Sequence, residues 1–158
     1  MTAFGGLPQS PSVGVGGVVL HRGRVLLIKR GKPPLQGRWV VPGGTVELGE
    51  SLEQALVREM EEETGVQVRP VSLLTAFDRI DRDGSEVRYH YVIVDYLCEY
   101  LGGEARAASD AQDVAWAAEA ELPAFDLPPK ALEVVRGAFR LAEGTLLPGA
   151  ASQATLLR

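Results

Sequence analysis

The chain has one cysteine, Cys98, in 158 residues, so no intramolecular disulfide can form. Cys98 lies in an apolar, strand-like run and is read as a buried structural thiol, not a nucleophile. The two histidines, His21 and His90, have no metal-ligand spacing and are given no catalytic role. There is no excess of positive charge. Lys and Arg number 16 against 21 Asp and Glu, a formal net charge of -5. That balance argues against a general nucleic-acid-binding surface, which would be basic. A small nucleotide stays compatible, because a bound cation supplies positive charge locally. No apolar run approaches the roughly 20 residues of a membrane-spanning helix. No signal-peptide pattern is seen, so a cytoplasmic location is expected. No internal repeat or interdomain linker is visible, and the length suits one domain with a sizeable core.

What is present is concentrated between Gly44 and Val66, which read GTVELGESLEQALVREMEEETGV. Ser51 is a favourable N-cap, and Gln54 three residues on completes a capping box. Leu52, Leu56 and Met60 repeat at helical spacing, and Gly65 stands where a left-handed C-terminal residue belongs. A helix is therefore predicted over Leu52–Thr64. Glu59, Glu62 and Glu63 fall on one side of a single turn, since residues three and four apart on a helix are neighbours. Like charges this close repel unless a cation sits among them. Hard divalent ions such as Mg²⁺ prefer oxygen ligands of this kind, which suggests phosphate chemistry. Pro42-Gly43-Gly44 precede the helix as a tight loop whose backbone can approach a metal or phosphate closely.

This stretch resembles the Nudix box. The match is carried by Gly44, Glu50, Arg58-Glu59-Met60, Glu62-Glu63 and Gly65-Val66. Weaker resemblance extends from about Val13 to Phe139. It implies an α/β/α sandwich with a mixed β-sheet between helices. It also implies a hydrolase that uses Mg²⁺ or Mn²⁺ to cleave a nucleoside diphosphate linked to another group. By the same resemblance, Glu59, Glu62 and Glu63, with the Gly43 carbonyl, are the expected metal ligands. Glu59, Glu62 and Arg58 are expected to carry catalysis, Arg58 by orienting Glu59 and Glu50, while Gly44 and Glu50 support the cluster. The general base is open between Glu59 or Glu62 in the box and Glu104, Asp110 or Asp113 outside it.

The rest of the chain frames this segment. Val13–Leu20 and Val25–Arg30 read as a hairpin, Gly31–Gly37 as a loop bordering the site, and Arg38–Val41 as a short strand. Val66–Ile80 reads as a long or broken strand, Asp81–Ser85 as a turn, and Val87–Tyr100 as another long strand. Glu104–Asp113 is expected to be an acidic loop, Val114–Ala118 a short strand, and Lys130–Glu143 a helix with Leu132, Val135, Phe139 and Ala142 inward. Trp39 and Trp116 are read as core residues. Arg30, Phe77, Asp110 and Asp113 are the candidates for substrate contact. Met1–Ser12 and Gly144–Arg158 are expected to be loose tails around a domain spanning 13–143. The expected partner is a small-molecule nucleotide, with neither nucleic acid nor membrane. A homodimer is in view because several Nudix enzymes pair through strands or swapped N-terminal segments.

The leaving group is less determined. Val71–Val87 holds no proline, unlike many ADP-ribose pyrophosphatases of the superfamily. Ser109–Trp116 followed by Glu121-Leu122-Pro123 nevertheless resembles small bacterial proteins of that kind. An ADP-ribose or nucleotide-sugar substrate is therefore expected, with a (deoxy)nucleoside triphosphate as the alternative. A non-catalytic binding module of the same fold is the alternative of a different class, and the intact box speaks against it.

Overall fold

The structure is a computed structural model that describes residues 6–144. Of the expected tails, residues 1–5 and 145–158 lie outside the described residues, whereas Ser12 opens the first strand and Gly144 ends the last helix. Seven strands form one mixed sheet: β1 (Ser12–His21), β2 (Arg24–Arg30), β3 (Trp39–Val40), β4 (Gly43–Thr45), β5 (Gln67–Asp83), β6 (Glu86–Gly102) and β7 (Ala111–Ala118). Three α-helices accompany them: α1 (Leu52–Thr64), a single turn α2 (Leu122–Phe125) and α3 (Pro129–Gly144). The sheet order is β3-β2-β1-β6-β5, with β4 also paired to β1 and β7 to β2. The β1–β6 pair is parallel and the other pairs are antiparallel.

Alternation along the strands divides the core into two layers. Val15 and Val19 of β1 and Leu26 of β2 pack with Ala55, Leu56 and Met60 of α1. Val18, Val25 and Leu27 turn the other way, onto Ala131, Val134, Val135, Ala138 and Phe139 of α3. Helices thus cover both faces of the sheet. Helix α1 has the predicted ends. Ser51 and Gln54 exchange the two capping-box hydrogen bonds, and Gly65 closes the helix in the left-handed region at φ 72°. On α3 the inward face is set by Ala131, Val134, Val135, Ala138 and Phe139, while Leu132 is only partly buried against it.

Several element boundaries depart from the sequence reading. Strand β5 runs on to Asp83 and β6 begins at Glu86, so Gly84-Ser85 alone turn the hairpin. Cross-strand pairing extends into the Asp81–Asp83 segment, where turn-type composition suggests a break. Strand β7 begins at Ala111, which places Asp113 in a strand opposite Lys29 instead of in a loop. Gly43-Gly44 are strand residues that pair with Gly16 and Val15. Trp39 packs edge-on to Phe125 at 5.0 Å, and Trp116 packs with Tyr100 and His21, so both tryptophans are structural.

One topological detail makes the site. β1 and β2 pair only beside their turn, at Leu20–Val25 and His21–Arg24. Beyond it β1 pairs with β4, while β2 pairs with β3 and β7. The sheet therefore splits between β1 and β2, and a cleft opens in the split.

Candidate active site

A cavity of about 270 Å³ occupies this cleft. Its acidic end is lined by Gly43 and Gly44 of β4 with Glu59 and Glu63 of α1. Helical spacing aims both glutamates at β4, because positions four apart share a face. Gly44 makes the approach possible. A Cβ there would lie 2.2 Å from the Glu59 carboxyl carbon, so no other residue fits without displacing that carboxylate. Glu63 is 4% exposed, and its Oε2 accepts a hydrogen bond from Gly43 N–H at 3.1 Å.

Arg58 organises the remaining acids. Its Nε and Nη2 donate to the two oxygens of Glu50 at 2.7 and 2.8 Å. Nη1 donates to Glu59 Oε1 at 3.0 Å and to Glu62 Oε2 at 3.2 Å. Nη2 also reaches the Thr45 carbonyl at 3.1 Å, tying the helix to the end of β4. This fork geometry is what a guanidinium supplies and an ammonium does not. Arg58 holds the Glu50 carboxyl down at about 2, and Glu50 in turn raises the guanidinium's own pKa. Burial acts in the opposite direction on the cleft carboxylates. It pushes Glu59 up against the pull of Arg58, and pushes Glu63 to about 7 with only the Gly43 N–H as a strong counterweight.

Glu62 stands apart. It is half exposed, turned to Arg58, and does not line the cavity. Among the described residues no three His, Cys, Asp or Glu side chains converge around one point. The donor set still suits a hard divalent ion. A buried and a half-buried carboxylate repel each other with no lysine or arginine within ion-pairing distance of Glu63, and all the donors are oxygen. Such an ion is content with one or two carboxylates, the rest of its shell coming from water and substrate phosphate. Glu59, Glu63 and backbone carbonyls near Gly43 could hold it.

Of the other sequence candidates, Arg30, Phe77 and Asp110 line the cavity. Arg30 Nε donates to the Pro34 carbonyl at 2.6 Å, and Asp110 pairs with Lys32 at 2.9 Å across the cleft mouth. Asp113 is exposed, accepts from Val114 N–H at 2.8 Å, and is not among the lining residues. Glu104 does not line the cavity either. Among the charged lining residues, Arg79 and Asp95 escaped the sequence reading. A lone acid inside the apolar run Tyr91–Cys98 was the available signal for Asp95. Cys98 is buried, with its thiol pushed up to about 12 by burial.

A mixed sheet between helices, split over a carboxylate-lined cleft beside glycine backbone, is an arrangement suited to metal-assisted hydrolysis of phosphate anhydrides. The family model described as NUDIX domain matches residues 10–138, and the chain belongs to the Nudix family. It is 39% identical over 118 residues to the ADP-ribose pyrophosphatase of Methanocaldococcus jannaschii, covering 73% of this chain and 68% of that protein. It is 36% identical over 118 residues to a candidate 8-oxo-dGTP diphosphatase 2 of Mycobacterium tuberculosis, covering 73% and 79%. The MutT NUDIX hydrolase of Burkholderia pseudomallei has the same fold with a TM-score of 0.71 at 34% identity, over 82% of this chain and 98% of that one. The protein is accordingly an enzyme, a Nudix pyrophosphohydrolase acting on small nucleotide substrates. Nudix hydrolases generally use divalent metal ions. No helix among the described residues is long and apolar enough to cross a membrane.

Proposed function

We propose that the enzyme hydrolyses the pyrophosphate bond of a nucleoside diphosphate conjugate, ADP-ribose or a nucleotide sugar, with Mg²⁺ or Mn²⁺. The observation that carries this reading is the likeness to the Methanocaldococcus ADP-ribose pyrophosphatase. A bound divalent ion would supply charge offset for the phosphates and lower the pKa of water. The chain's residues do the rest. Glu59 Oε1 is held by Arg58 Nη1, which leaves Oε2 to take a proton from the attacking water. Burial raises the basicity of that carboxylate, as a general base requires. Glu63 and the Gly43–Gly44 backbone fix the geometry opposite it. Arg30 lies in the cavity wall with a charge suited to a phosphate oxygen. Water forms a bond to one phosphorus, the bridging P–O bond breaks, and two phosphomonoesters leave. Arg58 acts as a positioning residue, and Glu62 completes its charge balance.

The second reading, (deoxy)nucleoside triphosphate hydrolysis to a monophosphate and pyrophosphate, is favoured by the likeness to the Mycobacterium tuberculosis protein. Comparing kcat/KM for ADP-ribose and for the common dNTPs, with products identified, decides between them. A clear preference for any dNTP overturns the conjugate reading.

A further inference from the structure

The cavity has a second end that the hydrolytic residues leave unused. It lies on the α3 face of the sheet, where β1, β6 and β5 run side by side. Register sets Gly16 beside Asp95 and Asp95 beside Thr75, then Gly14 beside Ile93 and Ile93 beside Phe77. Gly14 and Gly16 carry no side chains, and Ile93 and Asp95 lean over them to form the wall of a narrow slot. A Cβ at Gly16 would stand 2.3 Å from Asp95 Oδ1. Ala131 of α3 also lines the slot, with Phe77 as its aromatic residue.

Asp95 is 3% exposed, and its Oδ1 is fully enclosed with no hydrogen-bond partner among the described residues. A buried acceptor left in this condition costs stability, and native structures reserve it for places that meet a ligand, an ion or water. The charged groups facing it are Arg79 of β5 and Lys130 of α3. Both lie over the Phe77 ring, Arg79 at 5.9 Å and Lys130 at 5.5 Å from its centroid. Neither forms an ion pair with Asp95. The carboxylate is thus an unpartnered acceptor in the cavity wall beside an aromatic ring.

We propose that Asp95 is the specificity-determining residue of this enzyme, accepting a hydrogen bond from an amino-bearing nucleobase that enters the slot beside Phe77. The inference rests on the nucleotide-hydrolase reading above but not on which phosphate form is cleaved. An aromatic wall residue, Phe77, suits a planar ring better than a puckered sugar. A carboxylate with no N–H or O–H of its own protein to accept from selects a donor over an acceptor.

The test uses the full-length enzyme with Mg²⁺ and bases in pairs: guanine with hypoxanthine, which lacks only the amino group, and adenine with hypoxanthine and cytosine with uracil, in which oxo replaces amino and the neighbouring ring nitrogen gains a proton. Each is offered both as the nucleoside diphosphate-ribose and as the triphosphate, and each as ribose and 2′-deoxyribose triphosphates. In the wild type the amino-bearing member of at least one pair should lead in kcat/KM by about tenfold or more. Asp95→Ala should shrink that ratio to within about threefold, chiefly through KM of the amino-bearing member. Asp95→Asn keeps the shape and adds N–H donors, so it should shift the ratio towards the oxo member. It also carries the test if the alanine variant does not fold. A base ratio unchanged in both variants overturns the proposal. So does loss of ribose-over-deoxyribose preference with base ratios intact, which would assign Asp95 to the sugar, and so does an equal fall on every substrate. Hydrolysis of triphosphates alone would refute the conjugate reading while leaving the base ratio measurable.

Discussion

Glu63 and Asp95 are the two most deeply buried acids of the cleft, and the chain reaches them in opposite ways. Glu63 is one helical turn from Glu59 and meets a backbone N–H only 20 residues away, at Gly43. Asp95 sits among β1, β5 and α3, and Oδ1 meets no donor. Burial raises both, Glu63 to about 7 and Asp95 to about 6. One is paired within its own motif and built for the reaction. The other waits for a partner outside the protein. A local motif fixes chemistry, and a non-local wall fixes what the chemistry is applied to.

The largest expected effect tests the reactive side of that contrast. Glu59→Gln or Glu63→Gln should lower kcat by at least about a hundredfold while circular dichroism stays unchanged. Chelation should abolish turnover, and Mg²⁺ or Mn²⁺ should restore it. Near-normal turnover in either variant would remove that residue from the mechanism.

The next effect is on stability, and it reads the cost of Asp95 directly. Its pKa is near the usual 3.8 when unfolded and about 6 when folded, raised by burial against the attraction of Arg79 and Lys130. The fold therefore prefers the neutral acid. Its favourable contribution is full below pH 3.8, falls as pH rises towards 6, and is constant above that. Relative to Asp95→Asn in chelator, wild-type stability should fall by on the order of 3 kcal/mol across this window. A flat difference from pH 3.5 to 7, read from denaturant midpoints, would mean that burial of Asp95 costs nothing.

Arg58→Ala should cost about 2 kcal/mol, because it strips charge-assisted hydrogen bonds from Glu50, Glu59 and Glu62. The melting temperature should drop by roughly 4–8 °C. Turnover should fall through kcat more than KM, since Arg58 positions Glu59 and does not line the cleft. Arg58→Lys should rescue little of either, as lysine cannot bridge both oxygens of Glu50. Full rescue by lysine would reduce the fork to simple charge.

The smallest effects lie outside both ends of the cleft. Asp113→Ala should leave kcat/KM within about twofold, because its carboxylate caps its neighbour's N–H on an exposed strand. A tenfold loss would return Asp113 to the list of catalytic bases. A chain shortened to Ser12–Gly144 should fold and retain the base ratios, since both ends of the cleft lie inside those residues. Loss of activity together with a change in oligomeric state would show that the terminal segments complete the enzyme.

By itself, the sequence determined the helix, its caps and the acids it carries. Capping, helical spacing and the glycine that tolerates Glu59 are all contained in the segment from Gly43 to Gly65, where local rules operate. The hairpin of β1 and β2 was legible for the same reason. Tertiary structure alone decided the rest. Asp113 was drawn into a strand by pairing with β2, against its loop-like composition. Pairing with β6 likewise carried β5 through Asp81–Asp83. Asp95 could be seen as an odd acid in an apolar run, but not as a wall of the cleft. That depends on β1 lying parallel to β6 with Gly16 at its side, and on β1 parting from β2 beyond their turn. Register between strands separated by more than 70 residues is a property of the whole packed sheet, which no local window encodes.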